Sequence, residues 1–449
     1  MSKTRDLTEG SIAKGFLLFA LPLFLGSLFQ QLYSTADLLF VGNVIGKTAS
    51  AAVGASSLLV SCLISLFTGI SVGAGIVVSH YAGAKNESQM RKAAASSILA
   101  GMIGGFVMMV VAVAFAGRML LALNTPASVM DDAVAYVQIY FLSMVPMILY
   151  NMCAAILRSM GDAKTPFYVL ATGGFVNVAM DFFFIVVLPW GVRGTAAATF
   201  ISQTFTALIL LYVVCKRMPG VLKAGIHKEN LLEVIRMGLP VGIQSMLMVL
   251  SNVVIQYFIN GFGEDAVAAF AIYHKAESVN YLPVLAFGQA MTTFVGQNAG
   301  AGRYDRIKKA VPLCNGVAVS ITGVISLLAW AFRMGLARLF CPDGRAMTVA
   351  AQMMAVTFPF YFLYAIQEVT GGAVRGLGKA LQSMVIYVSG LCVIRVALLF
   401  LVYRTHYTVS MVMATFPVTW VITVAGFLIS YLLWSRKDIV SWRCKEKAV

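Results

Sequence analysis

AGAKNESQMRKA at residues 82–93 and AGAGRYDRIKKA at residues 299–310 spell one turn twice. A second pair, LRSMGDAK (157–164) and VRGLGKAL (374–381), keeps the same spacing and aligns Arg158 with Arg375 and Gly161 with Gly378. A third pair, ALPLFLGSLFQQ (20–31) and GLPVGIQSMLMV (238–249), stands one position further apart. Near-constant spacing over three separated segments marks an internal duplication. The stretch KRMPGVLKAGIHKEN (216–230) joins the two copies.

The sequence around these turns is membrane sequence. Of 449 residues, 60% are hydrophobic and only 11% charged, whereas soluble proteins carry roughly a quarter charged residues. Apolar runs long enough to cross hydrocarbon recur from end to end. They predict about twelve spans, at 16–41, 51–78, 94–116, 133–157, 167–188, 194–214, 234–259, 266–295, 311–332, 349–373, 382–402 and 410–434. The fold class is an all-α membrane protein of two six-helix repeats. Six crossings return a chain to its starting side, so the copies share an orientation. They are then expected to be related by a pseudo-two-fold axis along the membrane normal. The domain plan is an N-terminus at 1–14, an N-lobe at 15–215, a linker at 216–232, a C-lobe at 233–435 and a tail at 436–449.

Charge supplies the topology. Of 33 Lys and Arg residues, 24 fall on the termini and alternate loops and 7 on the remaining loops. That bias is the positive-inside rule, and it puts both termini in the cytoplasm of a cell membrane. The net charge of +15 is thus a topology signal that also attracts anionic headgroups, and nucleic-acid binding is not expected. The opening MSKTRDLTEGSIAKG is polar, so no cleavable leader is expected. Seven scattered cysteines lack metal-ligand spacing and read as small buried hydrophobes.

Enzymatic signals are weak. GNVIGKT (42–48) has three residues between its glycines where a phosphate loop needs four. The four histidines form no HExxH or Ser-His-Asp arrangement. No catalytic residue, metal or cofactor is expected, and uphill transport would draw on an ion gradient. Prolines at 22, 146, 240, 283, 359 and 417 lie inside spans, where each frees a carbonyl. Pro22 and Pro240 are hinge candidates. Gly69-xxx-Gly73 and Gly101-xxx-Gly105 are faces for close helix packing.

The span GGFVNVAMDFFFIVVLPWG (173–191) carries Asn177 and, one turn on, Asp181. A mid-membrane carboxylate costs about 2.5–3.5 kcal/mol even on lenient scales. In the first half the intramembrane acids are Asp37 and Asp181. Gln30, Ser34 and Asp37 share a helix face adjoined by Tyr33, and Thr199, Ser202 and Gln203 form a third polar patch. Converging, these would make an oxygen-rich pocket with two carboxyl groups. Burial and a neighbouring carboxylate both favour the protonated form, so such a pocket could exchange a proton for a cation. The plain alternative is a carboxylate satisfied by nearby hydroxyls and amides. The second half offers Asn252, Gln256 and Asn260 at fourfold spacing, His274 and Glu277, and Tyr364 and Glu368. Glu277 and Glu368 either line a cavity for amphipathic cations or pair with Lys275 or Arg395 as struts.

Several motifs together resemble the multidrug and toxic compound extrusion (MATE) family. They are LTEGSIAKGFLLFALPLFLGSLFQQLYSTADLLFVGNVIG (7–46), LRSMGDAKTP (157–166), NVAMD (177–181) and GVRGTAAAT (191–199), with echoes at GQNAGAG (296–302) and AVRGLGKA (373–380). The resemblance implies two six-helix lobes exporting cationic drugs in exchange for protons or sodium ions. Its DinF-type branch holds ion-linked residues in the first lobe, and that pattern falls on Asp37, Asn177, Asp181 and Thr199. The NorM-type branch uses acids on helices 7 and 10; here those positions are Met248 and Tyr364. The resemblance therefore implies first-lobe coupling, with small cationic or amphipathic substrates, a lipid bilayer as partner and action as a monomer. The rivals are sodium coupling, a lipid-linked oligosaccharide flippase and an intramembrane enzyme. The flippase would need several cavity-facing basic residues, and spans here offer only Lys275 and Arg395.

Overall fold

The structure is a computed structural model describing residues 6–40, 47–122, 125, 127–340 and 344–446. Within these, the side chains of 34, 36–40, 47–59, 127–129 and 435–446 are not described. Most of GNVIGKT therefore lies outside the described residues, as does Cys341.

Helices fill the described chain, and no strand occurs among the described residues. The first repeat comprises α1 (Ile12–Phe40), α2 (Lys47–Gly83), α3 (Glu87–Ala122), α4 (Ala127–Leu142), α5 (Met144–Ser159), α6 (Lys164–Asp181) and α7 (Val192–Arg217). The second comprises α8 (Lys228–Asn260), α9 (Glu264–Gly300), α10 (Tyr304–Ala331), α11 (Arg333–Phe340), α12 (Gly344–Thr357), α13 (Tyr361–Gly376), α14 (Ala380–Tyr387), α15 (Arg395–Thr405) and α16 (Val409–Glu446). Each of the twelve predicted spans coincides with one helix or one broken pair. Eleven are long and apolar enough to cross a membrane. The twelfth, α9, has the length, at 37 residues, but His274, Lys275, Glu277 and Asn280 lower its hydropathy.

Two spans break where proline removes a helical hydrogen bond. Ser143 separates α4 from α5 ahead of Pro146, and a 3₁₀ turn at Phe358–Phe360 carries Pro359 between α12 and α13. Pro22 and Pro240, by contrast, lie inside unbroken helices.

The chain divides into two compact units, one built on Leu21–Met246 and the other on Leu7–Ala20 with Leu247–Val449. The repeated turns adopt the same backbone bonds in both copies. Gly161 and Gly378 both take positive φ, 85° and 78°, the left-handed cap that glycine adopts without penalty. Their amides bond back to the carbonyls of Arg158 and Arg375, 2.8 and 2.9 Å away. Likewise the amides of Asn86 and Arg303 bond to the carbonyls of Tyr81 and Asn298.

Small residues set the packing, as expected where lipid offers no hydrophobic drive. A Cβ on Gly69 or Gly73 would collide with the backbone of Gly242 or Gly238 of α8, within the first unit. Gly101 and Gly105 seat Met152 and Ile148 of α5. In the second unit, Gly376 of α13 rests on Thr292 and Val295 of α9.

Candidate functional site

In the first unit, Gly173, Asn177 and Asp181 stack on one face of α6, and all three are buried. Asp181 is 0% exposed and Asn177 3%. Gly173 sits against the Thr206 side chain of α7, while a Cβ added at Gly194 of α7 would meet Phe184 Cβ at 3.0 Å. These two contacts fix an antiparallel register, with Asn177 at the level of Ser202 and Asp181 near Ala198 and Thr199. Thr199 Oγ1 donates to the Thr195 carbonyl at 3.1 Å, and Ser202 Oγ donates to the Thr199 carbonyl at 3.0 Å. Asn177 Oδ1 is buried with no hydrogen-bond donor among the described residues. Such an atom costs about 1–3 kcal/mol unless something serves it. Directly after Asp181 the backbone passes into a π-helical turn, Phe182–Val187; turns of this kind concentrate at functional sites.

Helix α1 runs alongside. A Cβ added at Gly26 would lie 3.8 Å from Leu170, the Phe29 and Phe167 ring centres are 5.8 Å apart, and a Cβ added at Gly174 would lie 3.5 Å from the Tyr33 ring. Both residue numbers rise together, so the helices are parallel, and this register carries position 37 to the level of 177–181. The side chains of Asp37 and Ser34 lie outside the described residues. Gln30 is exposed and Tyr33 half-buried.

The acids of the second unit resolve the alternatives differently from either expectation. Glu368 pairs with neither Lys275 nor Arg395. Its Oε2 lies 3.5 Å from Arg375, two turns along the same helix, and its Oε1 accepts from the Tyr387 hydroxyl at 2.7 Å. Arg375 also lies 5.6 Å from the centre of the Tyr387 ring. Burial of both partners makes this a closed strut. Glu277 keeps 16% of its side chain accessible and accepts from Tyr361 at 3.1 Å and Tyr273 at 3.3 Å, with His274 Nδ1 at 3.2 Å. Lys275 instead lies over the Phe340 ring.

Around Glu277 the rings of Tyr273, Tyr361, Tyr364, Phe416 and Trp420 form one continuous wall, and Tyr281 joins it at Tyr364. Arg395 lies over the Phe416 ring, 4.4 Å from its centre. The polar stripe of α8 is partly exposed: Asn252 is exposed, Gln256 and Met248 are half-buried, and Gln256 donates to Asn260 at 2.7 Å.

Sequence reasoning missed Arg375, Tyr387, Phe416 and Trp420. Aromatic recurrence was the available signal: Tyr361 and Tyr364 are three apart, Phe416 and Trp420 four apart, so each pair shares a face.

The MatE family model matches residues 22–183 and again residues 240–401, one match in each copy. The chain belongs to the MatE family. Family members are transporters, not enzymes, and this chain is a multi-pass membrane protein. It is 28% identical to the probable multidrug resistance protein YoeA of Bacillus subtilis strain 168, over 97% of both chains. It is 23% identical to the multidrug export protein MepA of Staphylococcus aureus strain MRSA252, over 96% of both. Its fold is similar to an outward-facing multidrug resistance MATE family transporter of the MOP superfamily, with TM-score 0.88 and 21% identity over 98% of this chain and 100% of that one. A MOP superfamily transporter from Pyrococcus furiosus Vc1 is similar at TM-score 0.85 and 21% identity, with the same coverage.

Proposed function

We propose that this MatE transporter is a secondary multidrug exporter that expels organic cations and zwitterions by proton antiport, with rocker-type alternating access. Membership of the family and the multidrug functions named for YoeA and MepA support export of varied drugs. The observation that carries the coupling is Asp181, wholly buried on the α6 face it shares with Asn177. In this reading Asp37, Asn177, Asp181 and Thr199 are the cation-coupling set. Entry of a proton discharges a buried carboxylate and removes its attraction for a cationic cargo, so the two exclude each other. Lack of carboxylates at Met248 and Tyr364 agrees with coupling in the first lobe.

The wider plan is an N-lobe at 15–215 and a C-lobe at 233–435, joined by a cytoplasmic linker at 216–232. Both termini face the cytoplasm of the plasma membrane, Pro22 and Pro240 act as hinges, and the protein works as a monomer. The positive-inside bias supports the orientation.

The test is drug efflux in proteoliposomes under an imposed pH gradient. Asp37→Asn is expected to abolish gradient-driven export while the protein still binds drug. Export that stays fully pH-driven would overturn the coupling assignment. Sodium coupling is the second reading, favoured by the unserved Asn177 Oδ1, an oxygen of the kind that ligates hard cations. Export driven by a sodium gradient at uniform pH would reassign the ion without moving the site.

A further inference from the structure

The second unit carries an open cavity of about 740 Å³ beside the turn AGAGRYDRIKKA. That turn and the start of α10 form one wall, and the entry of α1, Gly10–Ala13, forms the other. Three cationic side chains line it, Arg303, Arg306 and Lys309, with one carboxylate, Asp305. Asp305 stands in the first turn of α10, where a carboxylate offsets the helix dipole. Arg303 donates to the Thr8 carbonyl and Arg306 to the Glu9 carbonyl, each at 2.8 Å. Carbonyls are neutral, so these bonds fix the guanidinium groups without cancelling their charge. The Glu9 carboxylate comes only to 3.9 Å of Arg303, with both side chains exposed, and such pairs contribute little. Lys309 is exposed and forms no ion pair among the described residues. The cavity keeps a positive surplus.

Beyond the charges the cavity opens onto exposed apolar surface. Ile12 and Ala13 of α1 and Leu313 of α10 also line it, and Leu313 is 45% exposed. Leu17, one turn on from Ala13, is exposed as well. On α10 the face of Lys309 continues through Leu313, Gly316 and Ser320, all exposed. A side chain at Gly316 would meet nothing. A largely apolar strip therefore leads from the basic cavity along the span. The first copy lacks this exit. Its smaller cavity, about 490 Å³, is lined by Glu87, Ser88, Arg91, Lys92, Ala224 and His227, none of them a large apolar side chain. The repeat sets Lys92 opposite Lys309 and Ser96 opposite Leu313. Ser96 is 0% exposed, and its hydroxyl accepts from the His227 amide at 2.9 Å.

We propose that the cavity of the second unit binds the headgroup of an anionic phospholipid. Arg303, Arg306 and Lys309 hold the phosphate, and an acyl chain follows Leu313 along the exposed face of α10. Both residue types suit phosphate, arginine through its planar fork and lysine as a point charge. Lys309 stands near the start of the span Tyr304–Ala331, and basic pockets at the ends of membrane helices take lipid headgroups. A free phosphate would use the basic groups alone, whereas the apolar strip gives a lipid its second hold. The site stands apart from the drug and ion assignments.

The probes are phosphatidylglycerol and phosphatidylcholine with the same acyl chains, together with soluble glycerol phosphate. Native mass spectrometry of the delipidated full-length protein in detergent resolves each bound lipid. The wild type is expected to take one phosphatidylglycerol about tenfold more tightly than phosphatidylcholine. Lys309→Glu should weaken that event about tenfold or more. Lys92→Glu makes the same charge change at the equivalent position of the first copy and should leave the event within about twofold. Leu313→Gln should weaken the lipid about threefold, and equimolar glycerol phosphate should not displace it. Lys309 and Leu313 are exposed, so neither substitution disturbs the packing. No headgroup preference in the wild type, full affinity in Lys309→Glu, or equal losses in Lys92→Glu and Lys309→Glu would each overturn the site. Displacement by glycerol phosphate, with Leu313→Gln unaffected, would mark a free-phosphate site and overturn the lipid assignment.

Discussion

The helix pair α6–α7 in the first unit and the segment Ala380–Thr405 with α16 in the second are one design with opposite polarity. Gly173 abuts the Thr206 side chain; at the equivalent positions of the second copy, Gly390 abuts the Thr423 side chain. Beyond that shared crossing the pairs diverge. The first continues to Asn177 and Asp181, oxygen groups facing small hydroxyl residues. The second passes through its π-helical turn and reaches Arg395, bonded to Thr419. Ser202 and Thr419 keep the spacing of the repeated turns, and each copy has a π-helical turn nearby, Phe182–Val187 and Val388–Ile394. The scaffold recurs in both copies while the buried groups it carries differ: Asn177 and Asp181 in one, Arg395 in the other.

The sharpest way to break this comparison is to give the first unit the second unit's charge. Asn177→Arg puts a guanidinium one turn from Asp181, where it would hold the carboxylate ionised and paired. Gradient-driven export should fall about a hundredfold, the upper range of coupling between linked sites. Vesicle efflux measures it, and monodisperse behaviour in detergent verifies the fold. Undiminished export would mean that Asp181 does not exchange protons and that the resemblance between the two pairs is only architectural.

A smaller effect is expected at the strut that the first unit lacks. Glu368 and Arg375 pair within α13, whereas the repeat sets Asn151 opposite Glu368, and its amide donates to the Met147 carbonyl. Glu368→Gln leaves Arg375 buried without its anion, which costs about 3 kcal/mol or more. The thermal midpoint in detergent should drop accordingly. The double variant Glu368→Gln with Arg375→Met should regain most of the loss, because no charge is then stranded. A midpoint unchanged in Glu368→Gln, with drug binding lost instead, would make Glu368 a ligand group.

How far the sequence can be read depends on the range of each signal. Span positions, the duplication and the two glycine caps rest on local pattern, and α1 to α16 obey them. The common face of Asn177 and Asp181 needs only helical spacing. Tyr387 on Glu368 depends on how α13 meets α14, which periodicity does not encode. Arg395 is harder still, because a π turn has no residue signature and rotates the face that simple spacing assigns. The true partner of Glu368 escapes for a related reason: Arg375 reads as part of a repeat turn, and that role hides its reach back along α13.

The mildest test concerns the shared crossing itself. A methyl at Gly173 meets Thr206 through its methyl carbon, Cγ2, while a methyl at Gly390 meets Thr423 through its hydroxyl oxygen, Oγ1. Gly173→Ala and Gly390→Ala should each destabilise by about 1–3 kcal/mol through overpacking. The rescues then differ in kind. Thr206→Ser removes the offending methyl and should restore Gly173→Ala. Thr423→Ser keeps the offending oxygen and should not restore Gly390→Ala, whereas Thr423→Ala should. Thermal midpoints of these double variants decide it. If serine rescues both units or neither, the two crossings do not meet through different atoms, and the equivalence drawn between them is coarser than one residue.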